Sequence, residues 1–293
     1  MKTITPHLWF DKEAKEATAL YVSLFKDSEI TNITTITGTP SGDCDTVSFK
    51  LAGLPYMAIS AGPYFTINPS ISLSVNFDTE AEIEKVWNTL VEGGKVLMAY
   101  DTYPWAKKYG WLQDKYGVSW QLSMSENPEA GQKIIPSFMF TQAVAGKAKE
   151  AIADYTSIFP NSSTDLVVEY EEGDGDTVGF IKHARFTLNG SSFIAMDSSA
   201  AHEFTFNEGI SLIVTCDTQE EIDHYWEKLS FVPESEQCGW CKDKYGVSWQ
   251  IVPSIMDEVM ASGDTEKIAR VTQAFLQMKK FDIKKLEEAA EGK

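Results

Sequence analysis

The feature that most constrains this chain is an octapeptide that occurs twice. Residues 114–121 and residues 243–250 both read Asp-Lys-Tyr-Gly-Val-Ser-Trp-Gln. An identical internal repeat indicates duplicated structural units, so it has to be placed before any fold is predicted. In each copy Asp-Lys-Tyr-Gly is typical of a turn, and Val-Ser-Trp-Gln alternates apolar and polar residues as a half-buried strand does. We therefore expect each copy to be a turn that leads into a strand.

The sequence around the octapeptides repeats as well. Segments 5–10, 21–25 and 71–75 correspond to segments 135–140, 155–159 and 210–214. Capping boxes at Thr79–Glu82 and Thr218–Glu221 begin amphipathic helices in both halves. The order strand, helix, strand, strand, strand occurs twice in each half. The pattern predicts an α+β fold built from a tandem repeat of paired βαβββ modules.

This repeat predicts the domain organisation. We expect a first domain at 1–124, a linker at 125–133, a second domain at 134–254, and a C-terminal extension of one or two helices at 255–293. Gly94–Lys108 has no counterpart in the second half, where a short connection near Phe231–Gln237 takes its place.

Composition limits the classes of partner. The 293 residues carry 43 acidic and 25 basic side chains, a net charge of -18, and 43% of them are hydrophobic. An acidic surface repels phosphate groups, so neither nucleic acid nor an anionic membrane is an expected partner. Four cysteines do not form a disulfide framework, and no signal peptide or membrane-spanning run is recognisable. We expect a cytoplasmic protein whose partner is a small molecule.

The two copies also allow the strand faces to be separated. Positions that stay large and apolar in both copies are expected to pack on the helices: Leu8/Phe138, Phe10/Phe140, Met57/Ile194 and Ile59/Met196. The alternate positions then form a mixed face, either a concave ligand pocket or a surface that packs on another sheet. The candidate ligand-binding residues include tryptophans, whose rings could stack on a ligand or attract a cation. The full set is His7, Trp9, Tyr56, Ser60, Ser72, Asn76, Trp105, Trp111, Gln121, Met139, Phe193, Asp197, Trp240 and Gln250.

Three segments resemble a known family. They are the Thr-Pro-x-Leu-Trp-Phe opening, the segment Cys-Gly-Trp-x-x-Asp-Lys-Tyr-Gly-Val-Ser-Trp-Gln, and the tail motif Gln277-Met278-Lys279-Lys280. They are similar to the vicinal-oxygen-chelate superfamily of glyoxalase I, extradiol dioxygenases and bleomycin-resistance proteins, and especially to its PhnB-like branch, often labelled 3-demethylubiquinone-9 3-methyltransferase. The resemblance implies curved sheets that form cups with the helices outside, and an intrachain pseudo-dimer. It leaves a homodimer of the whole chain open.

The resemblance also implies where a metal would bind. Metal-dependent relatives hold a divalent ion with four side chains, typically His or Gln and Glu, from the first and last strands of the two modules. The last-strand position, usually Glu, aligns with Gln121 and Gln250. The remaining positions fall at Pro6 or His7, Pro136 or Ser137, Ser70 or Gly209, and Ser60 or Asp197. Because few of these are good ligands, we expect neither a metal nor any other cofactor.

Two further motifs contribute little to the prediction of function. Cys238-Gly239-Trp240-Cys241 lies in a predicted strand, where residues three apart point to opposite faces, so a redox or metal role is disfavoured. No Gly-x-Gly-x-x-Gly supports the methyltransferase label. The sequence favours a metal-independent protein that binds an aromatic or cationic ligand in a cup. The alternatives are a divalent-metal lyase or dioxygenase using His7 and Gln121, or, by the family label alone, a methyltransferase.

Overall fold

The computed structural model describes residues 3–124 and 131–293, so positions 125–130 of the predicted linker lie outside the described residues. The strands, in chain order, are β1 (Thr5–Phe10), β2 (Glu29–Thr39), β3 (Gly42–Leu51), β4 (Leu54–Ser60), β5 (Ile71–Asn76), β6 (Lys95–Tyr103), β7 (Ala106–Gln113), β8 (Ser119–Met124), β9 (Ile134–Phe140), β10 (Ser163–Glu169), β11 (Ile181–Leu188), β12 (Ser191–Asp197), β13 (Ile210–Cys216), β14 (Trp240–Lys242) and β15 (Ser248–Pro253). The α-helices are α1 (Ala14–Leu24), α2 (Glu80–Leu90), α3 (Ala148–Ile158), α4 (Gln219–Leu229), α5 (Ile255–Ala261), α6 (Thr265–Phe275) and α7 (Ile283–Glu291).

The described strands form two sheets, and each sheet combines modules from both halves of the sequence. One sheet has the order β14-β15-β13-β1-β4-β3-β2, and the other has the order β10-β11-β12-β9-β5-β8-β7-β6. The chain accordingly divides into two compact units: unit 1 is Met1–Thr66 with Asn207–Lys293, and unit 2 is Ile67–Phe206. Each sheet therefore joins the first module of one repeat to the second module of the other. The sequence repeats and the compact units divide the chain at different places.

Each sheet has one face covered by two helices. In unit 1 α1 packs on β3 and β4, and α4 packs on β13 and β15. In unit 2 α2 packs on β7 and β8, and α3 packs on β11 and β12. We call this the helix face, and we call the opposite side of each sheet the cup face. The predicted α+β fold of paired βαβββ modules is confirmed, except that the fourth module has only two strands, β14 and β15, after its helix.

The four packed helices begin in two ways. Thr79 and Thr218 cap α2 and α4 by accepting hydrogen bonds from the backbone N–H groups of Glu82 and Glu221, as the capping boxes predict. The residues before α1 and α3 make no side-chain cap. Because the first N–H groups of a helix need partners, those of α1 and α3 have to be satisfied from the sheet.

One short helix reaches both ends of the unit 1 sheet. The helix α5 packs against both β15 and β2, which stand five strand spacings apart in the sheet order. In a flat sheet those strands would be separated by about 24 Å. A helix of seven residues spans only about 10 Å. This contact favours a sheet that curls toward its cup face.

The C-terminal extension differs from the prediction, because it forms three helices rather than one or two. Gly263 adopts a left-handed conformation after α5, and the side chain of Asp264 caps α6. Asp282 caps α7 in the same way. No helix among the described residues is long and apolar enough to cross a membrane.

Candidate functional site

The repeated octapeptide anchors each sheet. The Asp114 carboxylate accepts hydrogen bonds from the backbone N–H groups of Tyr116 (2.9 Å) and Val118 (3.0 Å), and from the indole N–H of Trp120 (2.9 Å). The Trp120 side chain is fully buried. Gly117 closes the turn with a φ of 89°, which a residue with a Cβ adopts only at a cost. One carboxylate therefore fixes both the turn and the core tryptophan.

The second copy has the same geometry. Asp243 accepts from Tyr245 (2.9 Å), Val247 (3.0 Å) and Trp249 (2.8 Å), and Gly246 has a φ of 90°. In this arrangement the Asp, Tyr, Gly, Val and Trp of each octapeptide have a structural use. Only the Ser and Gln near the end of each copy lie on the cup face, at Ser119, Gln121, Ser248 and Gln250.

On the cup face of unit 1, one row of side chains crosses six strands. Residues paired side by side point to the same face of a sheet, so the strand register gives the row directly. It reads Ser48, Met57, His7, Ser211, Ser248 and Lys242. The rows on either side of it contain Ile59 beside Trp9 in one, and Trp240 beside Gln250 in the other.

His7 is the most unusual group in that row. It is only 4% exposed, and its Nδ1 atom has no hydrogen-bond partner. The Trp240 ring meets the imidazole edge-on with a centroid distance of 5.4 Å. Burial lowers the pKa of His7 to about 3, since desolvation disfavours the charged form. The ring is therefore neutral at physiological pH.

Aromatic and amide groups surround His7. Trp9 donates its indole N–H to the Gly62 carbonyl (2.8 Å) and lies edge-on to Trp240 at 6.0 Å. The Gln250 amide donates to the Ser211 hydroxyl (2.9 Å). These contacts hold both indoles and the amide in fixed positions on the same face as His7.

The charged group of this row is Lys242. Its ammonium group lies 2.6 Å from the Glu208 carboxylate, and both side chains are largely buried. Such a pair keeps the net charge of the cup face near zero at this end of the row.

The corresponding row of unit 2 is rich in hydroxyl groups. It reads Arg185, Ile194, Ser137, Ser72, Ser119 and Gln113. The hydroxyls of Ser72 and Ser119 are 2.9 Å apart, and Trp111 donates its indole N–H to Ser119 (2.8 Å). The Ser137 hydroxyl is buried and has no hydrogen-bond partner.

The connection between β6 and β7 adds an aromatic cluster to unit 2. Trp105 is 61% exposed and stacks on Tyr103 with a centroid distance of 5.0 Å. Tyr109 meets both rings edge-on and donates its hydroxyl to Gln121 (3.2 Å). Burial raises the pKa of Tyr109, so its phenol remains protonated. The cluster joins solvent-exposed Trp105 to Gln121 on the cup face.

The structure divides the predicted ligand-binding residues into three groups. His7, Trp9, Trp240 and Gln250 share the cup face of unit 1, while Ser72, Asn76, Trp111, Gln121 and Met139 share that of unit 2. Trp105 lies at the tip of the β6–β7 hairpin. Tyr56, Ser60, Phe193 and Asp197 form the third group, for which the predicted face is wrong.

The faces of β4 and β12 are the reverse of the prediction. Ser60 pairs beside Phe10, and Asp197 pairs beside Phe140, so both lie on the helix face. Tyr56 and Phe193 are fully buried there, and Phe193 stacks on Phe138 at 5.7 Å. Met57, Ile59, Ile194 and Met196 occupy the cup face instead. These strands are apolar on both faces, so hydrophobic alternation could not tell the faces apart.

Ser60 and Asp197 have a structural role that explains their polarity. The Ser60 hydroxyl accepts from the first N–H of α1, at Ala14 (3.1 Å). The Asp197 carboxylate accepts from Ala148 (3.1 Å) and Gly146 (2.8 Å) at the start of α3, and from Ile181 (2.9 Å). These side chains supply the caps that α1 and α3 lack within their own sequences. Burial raises the pKa of Asp197, although its three backbone donors act in the opposite direction.

Sequence reasoning also missed part of the cup face. His183 and Arg185 on β11, and Thr46 and Ser48 on β3, point to the same side as Ile194 and Ile59. The Lys242–Glu208 ion pair was missed because the two residues are far apart in sequence. The polar residues that alternate along β3 could have indicated which face of that strand is the cup face. No pattern in the sequence could have indicated the ion pair.

The residues present do not fit a catalytic divalent ion. Unit 1 offers His7 and Gln250 at the expected positions, and Ser211 is their neighbour. Unit 2 offers Ser137 and Gln121, because Asp197 points to the helix face. Across residues 3–124 and 131–293, no three His, Cys, Asp or Glu side chains converge as a metal site would require. His7 and Gln121, which the alternative enzyme would use together, belong to different sheets.

The Cys-x-x-Cys pair does not form a reactive dithiol. Cys238 precedes β14 in a left-handed conformation with a φ of 52°, whereas Cys241 lies within the strand and is buried. Burial raises the pKa of both thiols. A reactive thiol needs the opposite shift.

Comparison with known proteins matches the chain to a sequence family and to solved structures. The family described as 3-demethylubiquinone-9 3-methyltransferase matches residues 2–123 and again residues 132–252. A solved structure from Bacillus cereus, described as a putative 3-demethylubiquinone-9 3-methyltransferase, PhnB protein, is 40% identical and covers 42% of this chain and 100% of its own, with a TM-score of 0.40. A protein from Staphylococcus aureus is 34% identical over 43% of this chain and 98% of its own, with a TM-score of 0.19.

A more distant structure matches most of the chain. Glyoxalase I from Zea mays is 11% identical, covers 89% of this chain and 98% of its own, and has a TM-score of 0.54. At that identity the match shows a shared fold alone. No curated protein is significantly similar to the chain. The chain shares its fold with glyoxalase I, and it is a tandem member of the 3-demethylubiquinone-9 3-methyltransferase family.

Proposed function

We propose that the protein binds an aromatic or cationic small molecule on the cup face of unit 1, without a metal ion. The observation that carries the proposal is His7, a buried imidazole whose Nδ1 atom has no partner. A buried polar atom without a hydrogen bond costs about 1–3 kcal/mol. A ligand that supplies the missing hydrogen bond would recover that cost.

The surroundings of His7 favour these ligand classes. Trp9 and Trp240 are half-buried, so part of each indole is open to a ligand, and indole rings stack on aromatic molecules and attract cations. The lowered pKa of His7 keeps its ring neutral, so it would not repel a cation. The charge of Lys242 is balanced by Glu208. Sequestration of a ligand requires no further chemistry from these groups.

A ligand screen tests the proposal. Purified protein is screened by thermal shift against neutral and cationic aromatic compounds, and we expect at least one class to stabilise it. A ligand at 100 times its Kd adds about 2.7 kcal/mol of stability. His7→Phe keeps an aromatic ring but removes both nitrogens, so it should weaken binding of the hit. Trp240→Leu should do the same by removing the stacking surface.

The control variant lies at the corresponding position of the other unit. Met139 of unit 2 corresponds to Trp9, and Met139→Leu should leave the hit unaffected. If no compound stabilises the protein, or if the hit is lost in Met139→Leu and kept in His7→Phe, the proposal is wrong.

Two measurements separate the proposal from the alternatives. A stoichiometric Ni, Zn, Mn or Fe in protein purified without chelator would favour a metal-dependent lyase or dioxygenase. Calorimetric binding of S-adenosylmethionine would favour the methyltransferase that the family description names.

A further inference from the structure

The C-terminal extension touches both edge strands of the unit 1 sheet. Those edges are β2 at one end of the strand order and β14 at the other. The extension leaves β15 at Ser254 and forms α5, α6 and α7, which pack on one another. Its apolar side chains are buried in the process, among them Val259, Val271 and Leu286.

The first contact is on the cup face of β2. The Thr34 hydroxyl donates to the Met260 carbonyl at the end of α5 (3.2 Å), and α6 packs along the same strand. Thr34 pairs with Thr46, which pairs with Ile59, so this contact lies on the same side of the sheet as His7 and Trp9. On this side, Ile36 and its partner Cys44 are buried, and Cys44 is only 2% exposed.

The second contact is at the β14 edge. Cys238 and Gly239 donate their backbone N–H groups to the carbonyls of Met278 (2.8 Å) and Lys279 (2.7 Å). Both donors have a positive φ, of 52° and 81°. A left-handed conformation is unfavourable for a cysteine, so the chain accepts strain at the point where the extension docks. The Phe281 ring fills the space beside Gly239, where a Cβ would lie 2.4 Å from it.

The corresponding glycine of unit 2 is used differently. Gly110 corresponds to Gly239 in the repeat, but the space beside it is filled by Trp87 from α2 of the same unit, and a Cβ at Gly110 would lie 2.4 Å from that ring. Neither Tyr109 nor Gly110 has a positive φ. The two left-handed residues and the docked phenylalanine are therefore specific to the unit that carries His7.

We infer that residues 254–293 are a latch that holds the two edges of the unit 1 sheet together and controls access to the His7 site. The link to ligand entry rests on the proposed function, whereas the latch itself does not. Its outer contacts are weak. Lys279 pairs with Glu236 and Lys280 with Asp223, all near the surface, and such ion pairs contribute little to stability.

The latch has a place at which it can bend, between α5 and α6. Gly263 has a φ of 68°, and no atom lies within 4 Å of the position that a Cβ would occupy. Local opening of one segment requires less free energy than unfolding of the whole domain. We therefore expect opening of the latch to be more frequent than unfolding of unit 1.

Native cysteines report this opening. Cys44 lies on the cup face of β3 beside Ile36 of β2, the strand on which α6 packs, whereas Cys216 is fully buried on β13 near Tyr225 of α4. The wild-type protein is pulsed with iodoacetamide, and alkylation of each cysteine is followed by peptide mass spectrometry. Phe281→Ala should speed alkylation of Cys44 at least about tenfold, as a local opening would. The alkylation rate of Cys216 should change far less.

Two controls keep the test decisive. Phe25→Ala, at the end of α1 and outside the latch, should change the alkylation rates of Cys44 and Cys216 by similar factors. If Phe281→Ala does not fold, the double variant Lys279→Met and Lys280→Met removes the outer ion pairs and the hydrogen bond from Lys279 to the Pro233 carbonyl, and it should speed alkylation of Cys44 by a smaller factor. Equal changes in the alkylation rates of Cys44 and Cys216, or no change in that of Cys44, would show that the extension is not a latch. A ligand screen without hits would instead remove the proposed function and leave the latch result standing.

Discussion

The two units use the same frame to present different chemistry. Their central rows correspond position by position, yet His7 in unit 1 stands where Ser137 stands in unit 2. The basic residue of the row has also changed ends, from Lys242 on β14 to Arg185 on β11. The octapeptide geometry is the same in both units to within 0.1 Å in its hydrogen bonds. The duplication has therefore kept the anchor and varied the cup face.

The largest expected effect tests whether the two anchors are equivalent. Trp120→Ala and Trp249→Ala should each lower the free energy of unfolding by about 3–5 kcal/mol, because both rings are fully buried and both donate to the turn aspartate. Urea denaturation monitored by circular dichroism measures the loss. Trp226→Ala, on the half-buried side of α4, should cost less than either. If Trp249→Ala lowers the free energy of unfolding far less than Trp120→Ala does, the two anchors are not equivalent.

The two corresponding glycines should respond differently to alanine. Gly110→Ala forces a methyl group against Trp87 in the core of unit 2, and such overpacking costs about 1–3 kcal/mol. Gly239→Ala instead displaces Phe281, places its Cβ 3.0 Å from the Ile251 carbonyl oxygen and strains a backbone with a φ of 81°, so it should destabilise unit 1 and also release the latch. Alkylation of Cys44 should accelerate in Gly239→Ala and stay unchanged in Gly110→Ala. The opposite pattern would mean that Phe281 belongs to the core of unit 1 and is not part of a latch.

The smallest expected effect concerns pH. The folded-state pKa of His7, about 3, lies below the ordinary value of 6.5, so between these values the unfolded chain binds more protons than the folded one. Stability therefore falls as the pH falls. From about pH 7.5 to about pH 5.5 the wild type should lose about 1.4 kcal/mol more than His7→Ser, which carries the residue of unit 2. Chemical denaturation at both pH values measures it, and equal slopes would show that His7 is not buried as a neutral ring.

Much of the fold could be predicted because its signals are local and occur twice. The order of strands and helices follows from periodicity, and both capping boxes form in the structure. The cup-face positions of His7, Trp9 and Gln121 follow from alternation, because Leu8, Phe10, Trp120 and Leu122 mark the helix face of their strands. The same reasoning failed for Ser60 and Asp197. In β4 and β12 both faces are apolar, and the polar residue at the end of each strand caps a helix.

By itself the sequence determined that the chain is duplicated and which residues anchor each copy, because a turn and the strand after it depend on neighbours within eight residues. Only the tertiary structure decided which modules share a sheet. Strand pairing joins residues far apart in the chain, such as His7 and Ser211, and equivalent modules present the same hydrophobic pattern to either partner. It likewise decided that the C-terminal extension docks on β14 through Gly239. A glycine shows in the sequence that space is available, and the fold decides which side chain fills it.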